Sequence, residues 1–423
     1  MRVYLRTFGC RANHYDSETA RAMIERAGHG VVSDVTEADV AVFNSCAVTA
    51  EAEADLRSAV RRAARTRPEL RSVIMGCATG LAARRADASL RSLPTVEHLV
   101  DGADMASLAA ALELPPDLSL ARATAQTSVR ALLRIQDGCD EHCTFCATTI
   151  ARGENRSRPA DDIVAEALIL AERHAEIVIT GIHIGSYGQD TGRSLGELVE
   201  RLVHDVPRVR FRLSSLEATE VDDRLFALLT GETGRLAPHL HAPLQSGSDA
   251  VLKRMGRHWY TAERYAEVVE RLAACRSIFG LGADIIVGFP GESDADHART
   301  LALVERLPFT YLHIFPFSVR PGTAAERLGA HVQAAIARER GRELRAIGER
   351  KATAYQAARA AGLADVVVVR GGPASGEREG VTEDYLSVLP APSLPRGSRY
   401  AARLAPEGNR LSAVPLSPSA SSP

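Results

Sequence analysis

Apolar residues recur in short blocks along the chain, and longer segments of helical periodicity separate them. In the first hundred residues three such blocks, RVYLRTFGC, ADVAVFNSC and RSVIMGC, are each followed by a helix-like stretch beginning near Asp16, Ala50 and Gly80. This alternation predicts a parallel sheet of β-α units, whose strand carboxyl ends share the edge where open α/β sheets bind ligands. From Ala131 to about Ala360 six further blocks alternate with helices: ALLRIQDG, EIVITGIHIG, RVRFRLSSLE, HLHAPLQSG, LGADIIVGFPG and YLHIFPF. Six units are too few for a closed eight-stranded barrel and suit an open (β/α)6 one, with its chemistry where strands end. Beyond Gly362 the runs ADVVVVRGG, YLSVLPA and SRYAARLAP, broken by glycine and proline, predict a small β-barrel.

The expected fold is therefore α/β, with a parallel amino-terminal domain over 1–112, a linker over 113–130 and a partial barrel over 131–361. A small β-barrel over 362–415 and a disordered tail over 416–423 complete it. A length of 423 residues agrees with two or three domains. A net charge of −2 gives no global sign of nucleic-acid binding, and Lys253 and Lys351 are the only lysines, so local arginines must carry any such argument. No apolar run reaches membrane-spanning length. The opening MRVYLRTFGC lacks a signal peptide's apolar region, so the expectation is a cytoplasmic protein, away from membranes, with reduced cysteines.

Six of the seven cysteines form two trios. Cys139, Cys143 and Cys146, in GCDEHCTFC, have C-x3-C-x2-C spacing. Three thiolates on a cubic 4Fe-4S cluster leave one iron open to a small molecule. The alternative is a zinc site with His142 as fourth ligand. Against it, His142 directly precedes Cys143, and zinc frameworks usually show paired C-x2-C knuckles. Cys10, Cys46 and Cys77 each close a strand-like block, so three thiols converge on one crevice and a second cluster with a free iron follows. Simple packing of buried cysteines is the alternative. Cys275, in RLAACRSIFG, lies on an apolar helical face and is expected in the core.

With these residues set out, the whole chain resembles the radical S-adenosylmethionine (SAM) methylthiotransferases. TFGCRANHYDSE, FNSCAVTAEAE and MGCATG match the three amino-terminal ligand motifs, and QDGCDEHCTFC, with Phe145, matches the radical SAM loop. ITGIHIGSYGQD, RLSSLE, PLQSGSDAVLKRM, DIIVGFPGE and FSVRPGT follow in family order. The resemblance implies two 4Fe-4S clusters and two SAM. One cluster, on Cys139, Cys143 and Cys146, binds SAM and makes a 5′-deoxyadenosyl radical; the other, on Cys10, Cys46 and Cys77, holds sulfur for methylation and transfer. Both must open onto one cavity, since a substrate radical cannot wait for its partner.

TGIHIGSYGQD and TFGCRANHYDSE are most similar to the enzymes acting on threonylcarbamoyladenosine beside the tRNA anticodon. Relatives act on isopentenyl-adenosine or on a ribosomal protein. Implied partners are the tRNA anticodon loop, an electron donor and a sulfur donor. SAM contacts are expected at Phe145, Gly181, Ser215 and Glu217, with DIIVGF beside adenine; Gly181 as a turn and Glu217 as a helix-terminal acid are the plainer readings. Arg152, Arg156 and Arg158 are candidates for phosphates or the SAM carboxylate, and Arg57, Arg61, Arg62 and Arg65 for RNA or a solvated face. The appended barrel, similar to a TRAM domain, is the stronger RNA candidate. One departure stands out: Ala147, Thr148, Thr149 and Ile150 replace an Ile-Pro-Tyr-like stretch after Cys146. A non-catalytic, metal-stapled RNA-binding protein is the reading from another class; it would be colourless with zinc, where iron-sulfur protein is brown.

Overall fold

The computed structural model describes residues 1–47, 50–85, 87–120, 122–232, 234–371 and 378–416. Residues 417–423 of the expected tail lie outside the described residues. The chain begins with β1 (Arg2–Thr7), α1 (Arg11–Arg26), β2 (Gly30–Val32), β3 (Val40–Ser45), α2 (Ala50–Thr66), β4 (Arg71–Gly76), α3 (Cys77–Arg84), β5 (Val96–Leu99) and α4 (Met105–Ala111). Its five strands form one parallel sheet in the order β2-β1-β3-β4-β5. β3 is buried at every position, because helices cover both faces of a parallel sheet. The three cysteine-ended blocks are the central strands, so their carboxyl ends lie side by side.

Two helices start earlier than expected. α1 begins at Arg11, with extended Cys10 (φ −87°, ψ 176°) as its N-cap, and α3 begins at Cys77. Asp16 lies inside α1 instead, fully buried, because Arg134 and Arg152 hold its carboxylate. Cys10 and Cys77 thus sit at helix amino termini, where unpaired N–H groups favour negative sulfur.

The second unit contains β6 (Ala131–Arg134), β7 (Gln136–Asp137), α5 (Thr148–Arg152), β8 (Arg156–Ser157), α6 (Ala160–Ala171), β9 (Glu176–Thr180), α7 (Leu195–Asp205) and β10 (Arg210–Leu213). It continues with α8 (Asp223–Thr230), β11 (His239–His241), α9 (Asp249–Arg254), α10 (Ala262–Cys275), β12 (Gly280–Val287), α11 (Asp294–Arg306), β13 (Tyr311–Pro316) and α12 (Ala334–Arg359). β6, β9 and β10 pair in parallel, as do β11, β12 and β13. Parallel bridges Phe211–Leu236 and Ser215–His241 join the two halves into an open barrel of six strands. Alternation sorts the side chains. Leu133, Ile179, Phe211, Leu240 and Ile285 pack in the core that also holds the helices' apolar residues. The positions between them put Arg134, Glu176, Arg212, His241 and Asp284 on the inner face, so the lumen is polar.

β14 (Leu363–Arg370), β15 (Glu379–Val381), β16 (Ser387–Pro390), β17 (Arg399–Glu407) and β18 (Arg410–Pro415) close a small barrel around Val366, Val388, Leu404 and Leu411. It docks on the larger barrel through charge. Arg210 and Arg212, fully buried, share the carboxylate of Glu176 at 2.6–3.0 Å. The same guanidiniums donate to Asp365 O, Thr382 O and Glu383 O at 2.6, 2.9 and 3.0 Å. Cys275 corrects the sequence reading. It is exposed, because α10 ends at that residue and the apolar stripe of Tyr265, Val268, Val269 and Leu272 goes no further.

Candidate functional site

β1, β3 and β4 deliver Cys10, Cys46 and Cys77 to one sheet edge. Asn13 Oδ1 lies 3.9 Å from Cys10 Sγ and 3.8 Å from Cys77 Sγ. Its amide nitrogen donates to Phe8 O and Ser45 O at 2.9 and 2.7 Å, tying the ends of β1 and β3 together. Gly9 is required here: its φ is +95°, and a Cβ on it would stand 2.6 Å from Cys46 Sγ. Cys10 is exposed while Cys46 and Cys77 are buried. Burial pushes the Cys77 thiol up to about 11, although Arg152 opposes the shift.

The second trio sits on the loop after β7. Cys139 N–H donates to Gly153 O at 3.0 Å and Thr144 N–H to Met255 O at 2.8 Å, pinning the loop at both ends. Each sulfur has one polar neighbour. His183 Nδ1 is 3.7 Å from Cys139, and its Nε2 is 2.7 Å from Glu220. Arg257 Nη1 is 3.5 Å from Cys143, and its other nitrogen pairs with Glu217. Thr148 turns back on Cys146: its N–H donates to Sγ at 3.4 Å, and its hydroxyl lies 3.1 Å from the same sulfur. Burial raises the Cys143 thiol to about 12.

Zinc–thiolate bonds of about 2.3 Å bring sulfurs to about 3.8 Å of one another. Among the described residues the ligand trio within 4.8 Å belongs to His241, Asp284 and His313, with no cysteine. His142 is exposed. Three thiolates in each trio suit three of the four irons of a cube.

The two trios face each other. A cavity of about 90 Å³ is lined by both Cys77 and Cys146, together with Phe145, Thr148, Ala151 and Arg320. α3 packs on α5 so closely that a Cβ on Gly80 would stand 2.6 Å from Ala151 O. Arg152, at the end of α5, reaches across: Nε is 3.3 Å from Cys77 Sγ, and Nη2 donates to Asn13 Oδ1 and Asp16 at 2.6 and 2.8 Å.

Phe145 stacks edge-on against Phe289 at 6.4 Å and borders the shared cavity. Gly181 follows β9, and its missing Cβ serves the approach of Gln136, whose Oε1 would be 2.8 Å away; that oxygen accepts from Ile182 and His183 N–H. Ser215 is exposed at the end of β10, bridging to His241. Glu217 is buried, and its Oε2 has no hydrogen-bond partner, an acceptor suited to a hydroxyl such as a ribose's. Burial raises its pKa against the pull of Arg257.

The loop arginines differ from expectation. Arg152 is buried in the cysteine network, and Arg158 holds Glu166 at 2.7 Å, so both neutralise internal carboxylates. Arg156 is exposed. On α2, Arg61, Arg62 and Arg65 form an exposed face, while Arg57 donates to Ser89 Oγ at 2.9 Å. His183, Arg257 and Asn13 escaped the sequence reading. His183 and Asn13 stand inside ITGIHIGSYGQD and TFGCRANHYDSE; Arg257 stands two positions after PLQSGSDAVLKRM and carries no local signal.

Six parallel strands in an open barrel, with a three-cysteine loop after the first, define a radical SAM enzyme. Residues 133–304 match the Radical SAM superfamily, and residues 2–100 match Uncharacterized protein family UPF0004. Radical S-adenosylmethionine methyltransferase TsrM from Kitasatospora setae shares the fold with a TM-score of 0.56 at 15% identity, over 77% of this chain and 76% of that one. Threonylcarbamoyladenosine tRNA methylthiotransferase MtaB from Thermotoga maritima is 37% identical over 80% of each chain. The Bacillus subtilis protein of that name is 35% identical over 84% of this chain and 81% of its own. A tRNA-2-methylthio-N(6)-dimethylallyladenosine synthase from Erythrobacter litoralis is 31% identical over 88% and 87%. The chain belongs to the radical SAM methylthiotransferases. It is a transferase whose cofactors are SAM and 4Fe-4S clusters. No helix among the described residues is long and apolar enough to cross a membrane.

Proposed function

We propose that this enzyme converts threonylcarbamoyladenosine beside the tRNA anticodon to its 2-methylthio derivative, with one cluster on Cys139, Cys143 and Cys146 and the other on Cys10, Cys46 and Cys77. The observation that carries the reading is the cavity walled by both Cys77 and Cys146. When bound, the clusters and SAM supply a carbon radical able to take hydrogen from an unactivated purine carbon, and the sulfur that replaces it. The chain's residues hold these groups in register. Arg152 locks the radical SAM loop to Asn13, Asp16 and Cys77, so the two ligand sets cannot drift apart. Arg257 and His183 set positive charge beside Cys143 and Cys139. Burial alone would lower His183, but Cys139 and Glu220 outweigh it and raise it to about 11. Glu217 Oε2 offers the acceptor for SAM's ribose, and Phe145 and Ile286 are apolar walls.

In this enzyme residues 1–112, 131–361 and 362–415 would serve sulfur handling, radical chemistry and RNA binding, with an electron donor and a sulfur donor as further partners, in the cytoplasm. Support for the substrate comes from the 34–37% identity to several enzymes named for threonylcarbamoyladenosine tRNA. With SAM, reductant and sulfur source, tRNA bearing that nucleoside should give the 2-methylthio product by nucleoside mass spectrometry. tRNA lacking the threonylcarbamoyl group should react poorly, since a site built for a polar substituent leaves its own groups unpaired without it. Turnover of isopentenyl-adenosine tRNA alone would assign the sister activity, and turnover of a ribosomal protein alone would sink the tRNA reading.

Thr148 adds a chain-specific prediction, because it stands in the stretch that departs from the family. A hydroxyl donating to a ligand thiolate offsets part of the extra charge of the reduced cluster and raises its potential. Thr148→Val should therefore shift the midpoint to a more negative value in an EPR-monitored redox titration, and Thr148→Ser should restore it. Equal midpoints in all three proteins would remove this role.

A further inference from the structure

A second cavity, of about 490 Å³, is distinct from the one shared by Cys77 and Cys146 and lies where α1, the strand β6 with its lead-in, and the carboxyl-terminal barrel meet. Its wall carries Arg11 and His14 of α1, Arg130 before β6, and Arg370, Tyr385 and Arg396 of the small barrel, against one carboxylate, Glu379. The positive charge is poorly matched. Arg370 is 3.6 Å from Glu379, and Arg130 is 3.5 Å from Glu176, a carboxylate already shared by Arg210 and Arg212. Arg11 donates to the Tyr385 hydroxyl at 3.2 Å and Arg396 to Thr127 O at 3.2 Å; neither has a carboxylate partner among the described residues. Arg130 lies 5.6 Å from the Tyr385 ring centre. Burial would raise the Tyr385 phenol, yet Arg11 and Arg130 outweigh it and the net shift is downward, a sign of the positive potential in this cleft.

Four guanidiniums from three parts of the fold converging on one cleft focus potential on an anion, and each offers a donor fork matched to phosphate or carboxylate oxygens. We infer that this cavity is an anion subsite for the RNA substrate, in which Arg11, Arg130, Arg370 and Arg396 bind either a backbone phosphodiester or the carboxylate of the threonyl substituent. The inference rests on the tRNA reading above and adds a location to it. Arg11 directly follows Cys10, so an anion held here is anchored one residue from the amino-terminal trio. The three units meet at this cavity, so RNA bound in it touches all of them at once.

The test is tRNA binding by the full-length, iron-loaded protein, measured across a salt series with tRNA bearing or lacking the threonylcarbamoyl group. Arg370 has an exposed side chain and Arg396 bonds only to a loop carbonyl, so the R370Q/R396Q protein should keep its iron and fold. A phosphodiester in the cavity predicts at least tenfold weaker binding of both tRNAs at 0.15 M salt, and a slope of log affinity against log salt that is shallower by about one for each phosphate no longer neutralised. A carboxylate predicts weaker binding of the modified tRNA alone. R11Q should act in the same direction through the opposite wall. E379Q, which removes the one wall carboxylate, should tighten binding, a gain that mere structural damage does not produce. Unchanged affinity and salt slope in R370Q/R396Q and R11Q, with wild-type binding intact, overturn the subsite and leave the enzyme reading standing. Failure of the wild-type protein to bind any tRNA overturns both.

Discussion

Alanine at Cys139, Cys143 and Cys146 is expected to halve the iron of the reconstituted enzyme, about eight atoms in two cubes, and to abolish reductive cleavage of SAM. Alanine at Cys10, Cys46 and Cys77 is expected to halve the iron as well, to leave 5′-deoxyadenosine release measurable, and to stop methylthiolation. The two losses should separate because each loop is held mostly by bonds that do not involve sulfur. Thr144 is pinned to Met255 O and Cys139 N–H to Gly153 O whether or not the other trio is filled. Arg152 keeps Asp16 and Asn13 when Cys77 is gone. Asn13 still ties Phe8 to Ser45. Full iron in the second variant would remove the second cluster, and loss of SAM cleavage there would mean that the loops are mechanically one.

Glu176→Ala should cost about 3–5 kcal/mol, because it leaves Arg212 buried with no carboxylate and Arg210 with Asp365 alone. By contrast, Glu200→Ala breaks an exposed pair with Arg224 and should cost no more than about 1 kcal/mol. Denaturant unfolding of the two variants reads the difference, and similar midpoints would show that the buried network is dispensable. Acid should narrow the gap. Burial alone would raise the Glu176 pKa, but Arg212 and Arg210 outweigh it and hold the carboxyl well below its usual range. A depressed folded pKa gives stability that is complete above the unfolded value of about 4.3 and drains as pH falls toward the folded one. Wild type should therefore lose more than Glu176→Ala between about pH 5 and pH 3.

The strands that end in Cys10, Cys46 and Cys77 were readable because each cysteine closes an apolar block, and in a parallel sheet every such block ends at the same edge. Helix starts were less readable. Asp16 looks like a cap because aspartate is a frequent N-cap residue, but Cys10 takes that place with no side-chain hydrogen bond to advertise it. RVRFRL reads as a strand with one wet face; only closure of the barrel reveals that Arg210 and Arg212 point into a sealed interior. Arg152 looked like a phosphate ligand for the same reason, since a lone arginine gives no clue that Asp16, 136 positions away, will meet it. Cys275 failed in the other direction, through a helix that stops where its apolar stripe would continue.

The loop Thr382–Tyr385 changes what kind of object the carboxyl-terminal barrel is. An accessory module joined by a tether can be cut away, and its loss reads out as lost affinity alone. Here backbone carbonyls of that loop accept from Arg212, and Asp384 O occupies the space into which a side chain on Gly280 would otherwise project. The module is the floor of the catalytic barrel. Removing it would open the lumen to water from below and strand two guanidiniums, so a shortened chain would confuse weaker RNA binding with a collapsing reaction chamber. Point changes on the outer arginines, which leave the floor in place, are the informative route.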